Sequence, residues 1–395
     1  MPNASLIRSI HASWPPARWA DVGVVVGCSG GADSVALLCS LAQIAASVGG
    51  PPGHSVAWGD RARAELPDST RSGSATSGSV PGGSVPSGSV GNQSGGARGF
   101  LIAAHFNHGL RGDQSDRDEQ SVRELAGRLG VDFIAGRSPG VAAPSVSAGL
   151  GDCATLAADD RPAQLISDEA SLRAVRIDFL TRTAKQAGAR YIALGHSADD
   201  NVETVLHHLM RGTGPTGLAG IPPFRSVGDD LVIARPLIEV DRQSIRDALR
   251  AMGQSWREDA SNQNSDYQRN WIRNELIPLV RTRYPAADKA IGRAIEAQRD
   301  WRRLVESLAD RWLEQHFSGG PAVVIEADSQ TDAAVVTAAL QRLWDRQGWA
   351  RGPMKRAHWV RLAETVAGRE SQRFVLPGQV EVQPGNPIRI ARTQA

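Results

Sequence analysis

Residues 22–28 form a short apolar, valine-rich run, and the six residues that follow read Ser-Gly-Gly-Ala-Asp-Ser. The run is too short for an ordinary helix and suits a buried strand. From Ser34 onward, Val35, Leu37, Leu38, Leu41 and Ala42 have the spacing of a helix packed on a sheet. A strand that turns into a helix through two glycines constrains the fold more than any other stretch of the chain. It leaves free N–H groups at a helix N-terminus, a place where anions bind well. Gly30 and Gly31 let a ligand approach the backbone, and Ser29 and Ser34 add hydroxyls. Asp33 repels a bare phosphate, so it fits as a helix cap or as a holder of Mg2+ beside phosphates. A plain strand–turn–helix is the competing interpretation.

The rest of the first half repeats the strand–helix theme. Strands are expected at 22–28, 100–105, 131–135, 190–195 and 231–235, and helices at 34–47, 113–129, 168–187, 198–211 and 241–252. Such alternation predicts an α/β fold, a doubly wound parallel five-stranded sheet of order 3-2-1-4-5. Ligands of such sheets bind beyond the strand C-termini where the order reverses. The loops there are SGGADS and "GHSADDNVET". Two segments interrupt the pattern. Residues 68–99 are dominated by Ser and Gly, with GSV recurring at 78–80, 83–85 and 88–90, and read as a flexible insertion. Residues 138–167 read as a second insertion.

Domain 1–240 is thus expected to be catalytic, with insertions at about 49–99 and 138–167. Segment 241–317 is expected to be helical and basic: residues 269–303 hold nine Arg or Lys against four Asp or Glu. Residues 285–316 read as one long helix. Residues 318–395 are expected to form a small α+β domain, with two short helices and strands near 322–327, 373–376, 379–382 and 387–391.

The 395 residues carry a formal charge of only +2, which excludes a global polycation. Three cysteines form no CxxC and no metal spacing. No apolar run reaches membrane-spanning length and no signal-peptide core is seen, so a cytoplasmic protein without a membrane partner is expected.

"HFNHGLR" follows the second strand, and His105, Asn107, His108 and Arg111 are candidates to touch a base or phosphate. In GHSADDNVET, Asp200 and Glu203 share one helix face, and with His196 and Asp199 they exceed what dipole compensation needs. They suit magnesium or a cationic substrate. Arg211 ends that helix.

No GxxxxGK[ST] occurs; SGGADS instead resembles the loop of the N-type ATP pyrophosphatases. The ordered series SGGADS, HFNHGLR, EASLRAVRIDFL, GHSADDNVET, MRGTGPTGL, RPLIEVDR and WREDASNQNSDYQRNWIRNELIP resembles the tRNA(Ile)-lysidine synthetase family. The likeness departs at Arg176-Ile177, where the family has Arg-Tyr. The resemblance implies a ligase that joins free L-lysine to C2 of the wobble cytidine of tRNA(Ile) with a CAU anticodon. The reaction runs through adenylated tRNA and releases AMP and pyrophosphate. It implies that Ser29, Gly30, Gly31, Ala32, Asp33 and Ser34 cradle ATP, with Asp33 bearing on Mg2+. His105 and Asn107 would line the nucleotide, and His108 and Arg111 the nucleotide or tRNA. Arg173 and Arg176 would compensate phosphate charge, and Asp200 and Glu203 would hold the lysine amine. Arg211, Arg269, Asn270 and Arg273 would approach the tRNA. A homodimer is left open. The alternatives are another adenylating enzyme with this loop, either a tRNA thiolation enzyme or an amidotransferase-type synthetase, and a non-catalytic tRNA-binding module.

Overall fold

The computed structural model describes residues 2–48, 99–138, 155–156, 169–228, 230–258, 268–318 and 323–392. The Ser/Gly segment up to residue 98, most of the second insertion, Cys153 and positions 259–267 of the EDASN stretch lie outside the described residues. The chain forms two compact units, one of residues 1–207 with 221–288 and one of 208–220 with 289–395.

In the first unit, helix α1 (Pro2–Ser13) precedes strand β1 (Gly23–Gly27) and helix α2 (Ala32–Ser47). Then follow β2 (Phe100–Asn107), α3 (Asp113–Leu129), β3 (Asp132–Arg137), β4 (Thr155–Leu156) and α4 (Glu169–Ala187). β5 (Tyr191–Leu194) leads into α5 (Ala198–Met210), whose last turn enters the second unit together with α6 (Pro215–Leu218). The first unit resumes with β6 (Phe224–Val227), β7 (Leu231–Ala234), α7 (Arg242–Ala251), α8 (Gln268–Trp271) and α9 (Ile277–Arg283). A π-helical turn, Ile272–Leu276, joins the last two helices. Pro278 follows it, and a residue without an N–H explains why the regular ladder widens there.

The sheet order is β4-β3-β2-β1-β5-β7-β6, parallel except for β6. Its inner five strands reproduce the expected 3-2-1-4-5 order. The two outer strands were not legible. β4 has two residues and falls in the stretch read as an insertion, and β6 is a four-residue, mostly exposed edge. Alternate β1 residues feed opposite faces: Val24 and Val26 pack with Leu37, Leu41 and Ile245, and Val25 packs with Phe179 and Leu180 of α4. Helices α2 and α4 therefore cover opposite faces of the sheet. The N-terminal helix, absent from the sequence reading, buries Leu6 and Ile10, and Trp14 just beyond it meets Trp19 and Tyr191 edge to face or tilted.

The second unit contains α10 (Ala287–His316, shared at its first residues), β8 (Phe317–Ser318), β9 (Val323–Ile325), α11 (Ala333–Arg346) and α12 (Arg356–Val366). It ends with β10 (Phe374–Leu376), β11 (Val380–Gln383) and β12 (Ile388–Arg392). These five strands form an antiparallel sheet of order β10-β11-β12-β9-β8. Trp312, Leu340, Trp344, Leu362, Val382 and Ile390 belong to its core. The α+β appendage is present as expected.

Candidate active site

The phosphate loop is built from backbone and small side chains. Gly30 has φ +90, a conformation that favours glycine. Gly31 caps α2 in extended backbone, and a Cβ placed on it would come no nearer than 3.6 Å to Ser29 Oγ. Ser34 ties the loop: its Oγ accepts from Ser29 N–H at 3.1 Å and donates to Gly31 O at 3.0 Å. Arg257 N–H donates to Gly30 O at 3.0 Å, so the start of the downstream REDASN stretch braces the same loop. Gly195, after β5, is required by contact, because a Cβ there would fall 2.8 Å from Asp33 O.

Asp33 lies in the first turn of α2. Burial, then the charges of Asp200 and Asp199, push its carboxyl up to about 6 against the pull of Arg242 and Arg273. Arg242 Nε approaches its Oδ2 at 3.7 Å, and Oδ1 is buried without a hydrogen-bond partner among the described residues.

Across the strand ends, α5 presents the acids. Asp200 Oδ2 accepts from Ser197 N–H and Oγ–H at 2.9 and 3.1 Å, which places it as a capping group. Asp200 Oδ1 receives Arg242 at 3.0 Å and Arg273 at 3.3 Å. Burial acts to raise its pKa, but Arg242, the Ser197 N–H and Arg269 prevail and hold it below the ordinary carboxylate value. Glu203, 1% exposed, binds Arg273 through both oxygens at 2.6 and 2.8 Å and also meets Arg269 and Arg242 at 3.4 and 3.5 Å. Asp199 accepts from Arg242 N–H at 2.8 Å and from Arg281 at 3.2 Å.

The sequence-predicted residues are thus only partly gathered as expected. The loop, Asp33, Asp200 and Glu203 converge. Arg269 and Arg273 were expected to point toward tRNA; here they turn inward onto Glu203 and Asp200, because a buried carboxylate demands a counter-charge. Asn107 is 2% exposed and fully used: its amide donates to Asp116 and Glu119, and its oxygen accepts from Gly109 N–H. It organises the buried Arg137 ion pairs with Asp116 and Glu119. Arg111 pairs with Asp118 at 3.2 Å. His105 lies buried with Nδ1 2.9 Å from Cys28 O, and burial lowers its pKa. His108 packs edge-on against Phe106, and burial, Arg176 and His105 bring it down to about 4. Arg173 is exposed on α4; Asn270 is half-buried on α8. Arg211 is exposed and belongs to the second unit.

Two residues were missed. Arg242 bridges Asp33, Asp200 and Glu203, and Arg235 ends β7 among His196 and Arg173. Both stand in the quoted RPLIEVDR motif, but an arginine's partners cannot be read from its own neighbours in sequence.

Several known proteins resemble this chain. The family model described as PP-loop domain (ATP_bind_3) matches residues 92–280. A tRNA(Ile)-lysidine synthase of Rhodopirellula baltica is 39% identical over 384 residues, covering 91% of this chain and 84% of that protein. One from Thermus thermophilus is 34% identical over 248 residues, covering 62% of this chain and 44% of that protein. Among solved structures, a U34-tRNA thiolase from Methanococcus maripaludis aligns with TM-score 0.48 and 13% identity over 74% of this chain and 78% of that one. With the phosphate loop and the acid pair facing one another at the switch of strand order, and with identity at this level over nearly the whole length, the chain belongs to the tRNA(Ile)-lysidine synthase family.

Proposed function

We propose that this protein uses ATP to ligate free L-lysine to C2 of the wobble cytidine of tRNA(Ile) bearing a CAU anticodon, through an adenylated tRNA intermediate. The observation that carries the reading is the pairing of an open, backbone-lined anion cradle at the α2 N-terminus with a buried acid pair across the same strand ends. Residues 29–34 hold the phosphates. The unpartnered Asp33 Oδ1 is suited to Mg2+, which is ordinarily held by one or two carboxylates and substrate phosphates. Among the described residues no group of three or more His, Cys, Asp or Glu is placed to hold a metal ion. Bound there, Mg2+ would neutralise phosphate charge. Cytosine O2 displaces pyrophosphate from the α-phosphate, and the lysine ε-amine then attacks C2 and releases AMP.

The amine arrives as an ammonium with a pKa of about 10.4 and must lose a proton before it attacks. Asp200 and Glu203 are the carboxylates that can attract it, in competition with Arg242, Arg269 and Arg273. If Arg269 and Arg273 meet the tRNA, they do so by leaving these acids, which couples tRNA recognition to exposure of the amine site. The stretch 269–303 supplies further arginines for tRNA phosphates. The likeness to bacterial tRNA(Ile)-lysidine synthases points to the cytoplasm as the setting. No helix among the described residues is long and apolar enough to cross a membrane.

The test is AMP release by purified protein given ATP, lysine and the tRNA, together with mass analysis of the tRNA. Release dependent on tRNA, with lysine added to the cytidine, is expected, and Asp33→Ala should reduce it by about 10²–10³-fold, the scale of losing one charge-stabilising group. Wild-type rates in Asp33→Ala, or tRNA that gains no lysine, would refute the reading.

A further inference from the structure

Arg235 closes strand β7 and is 4% exposed. One terminal nitrogen donates to Pro222 O at 2.8 Å, which fixes the side chain, and its Nε is buried with no hydrogen-bond partner among the described residues. Arg176 Nε on α4 and His196 Nδ1 after β5 are in the same state. Three elements therefore bring unsatisfied buried nitrogens to one end of the sheet, where such groups are normally satisfied.

Among the described residues the charges lack a partner as well. Burial, then Arg225 and Arg173, depress Arg235 to about 10. Burial, Arg173 and Arg269 lower Arg176. Burial brings His196 down to about 3, with Asp200 opposing and Arg235, Arg173 and Arg176 assisting, so its ring is neutral. Asp200 and Glu203, the acids nearby, are already held by Arg242, Arg269 and Arg273. Buried cations without counter-charge are costly, and a site in this condition is built for an anion.

We infer that Arg235 and Arg176 receive the α-carboxylate of the amino-acid substrate, an inference that rests on the reading of this protein as a lysine ligase. Two features favour a carboxylate over the nucleotide's phosphates. The phosphates have their own cradle on α2, which covers the opposite face of the sheet from the helix that carries Arg176. Arg235 and Arg176 each keep a buried Nε–H without a hydrogen-bond partner among the described residues, and both act on His196, so a carboxylate beside that ring could take a bond from each. The ammonium-attracting acids begin next door at Asp200, whose charge acts on His196. Anion-receiving and cation-receiving groups thus adjoin around one neutral histidine, the complement of a free amino acid. Arg176 then serves the amino acid rather than the phosphates. A diamine of the same reach but without a carboxylate leaves the two arginines unpaired and is rejected.

The experiment compares lysine with 1,5-diaminopentane as amine donor to adenylated tRNA, using the full-length protein. The wild type should favour lysine strongly. Arg235→Gln should lower kcat/KM for lysine about 10–100-fold, the worth of one charged hydrogen bond or a pair of them. That loss should appear mostly in KM, while diaminopentane use and the KM for ATP stay within about threefold. Arg176→Gln, on a different element, should give the same selective loss and decides the matter if Arg235→Gln fails to fold. Equal losses for both amines, or a matching rise in the ATP KM, would overturn the carboxylate assignment in favour of phosphate binding. A wild type that couples neither amine would instead refute the proposed function.

Discussion

The phosphate loop and the acid pair stand at the same edge of one sheet, yet they are made in opposite ways. The loop is mainly local: six consecutive residues supply its shape, and a single hydroxyl, Ser34 Oγ, ties it through contacts no more than five residues apart, with Arg257 N–H bracing Gly30 O from far along the chain. It commits few of its groups and leaves Asp33 Oδ1 without a partner. The acid pair is non-local. Glu203 is completed by Arg242, Arg269 and Arg273, which lie 39, 66 and 70 residues downstream. One region keeps its groups free for a ligand; the other spends them on the protein. The difference teaches that a short functional motif can hold a ligand only if its own fold needs little from it.

That contrast predicts where stability resides. Glu203 should matter most. Removing one member of a buried ion pair leaves its partners uncompensated and costs about 3–5 kcal/mol. Glu203→Gln should therefore lower the unfolding free energy measured in urea by that amount and make the segment around Arg273 more susceptible to proteolysis. Asp247→Asn breaks the exposed pair with Arg250, 2.6 Å apart, and should change stability by less than about 1 kcal/mol. Equal, small effects from both would show that the acid pair is as uncommitted as the loop.

The same contrast explains what the sequence disclosed. The order of the five inner strands follows from periodicity and from the rule that connects parallel strands, so β1, β2, β3, β5 and β7 were legible. Helix α10 was legible because thirty residues repeat one pattern. Strands β4 and β6, of two and four residues, are too short to show a period. In the site, Gly30, Gly31 and Asp33 could be found because their neighbours in sequence are their neighbours in space. The roles of Arg235 and Arg242 could not, since each is defined by residues on other elements. Asn107 shows the same limit: a polar side chain at a strand end invites a ligand, and its partners Asp116 and Glu119 on the next helix cannot be read from its neighbours in sequence.

Asp33 gives the intermediate effect. The unfolded chain ionises it near 3.8, whereas burial and the charge of Asp200 move the folded value up to about 6. The folded state binds that proton more tightly, so this residue's contribution falls as pH rises through the interval from about 4 to 6 and is fully unfavourable above it. Asp33→Asn should then stabilise the ligand-free protein at pH 7.5, by at most about 3 kcal/mol, and the gain should fade toward zero near pH 4. Denaturation of both proteins at the two pH values, in the presence of a chelator, measures this. A variant no more stable than wild type at pH 7.5 would mean that Arg242 already compensates the charge, and that the loop is committed after all.

The smallest change in stability belongs to Gly31→Ala, and it sharpens the comparison most. The backbone there is at φ −75, open to any residue, and the added methyl meets only Ser29 Oγ at 3.6 Å and Arg257 O at 4.0 Å. Two terms oppose each other. Alanine reduces the entropy of the unfolded chain, a gain of about 0.4–1 kcal/mol. It is also a poorer helix cap than glycine, a loss of a similar fraction of a kcal/mol. The net change should lie within about 1 kcal/mol of zero. The methyl nevertheless projects from the cap residue where the cradle must let phosphate oxygens reach backbone N–H groups. The ATP KM should therefore rise by tenfold or more while the melting temperature barely moves. Glu203→Gln, by contrast, should shift melting first. If Gly31→Ala melts early and binds ATP normally, the loop is part of the scaffold, and the division between a free region and a spent one fails at its clearest point.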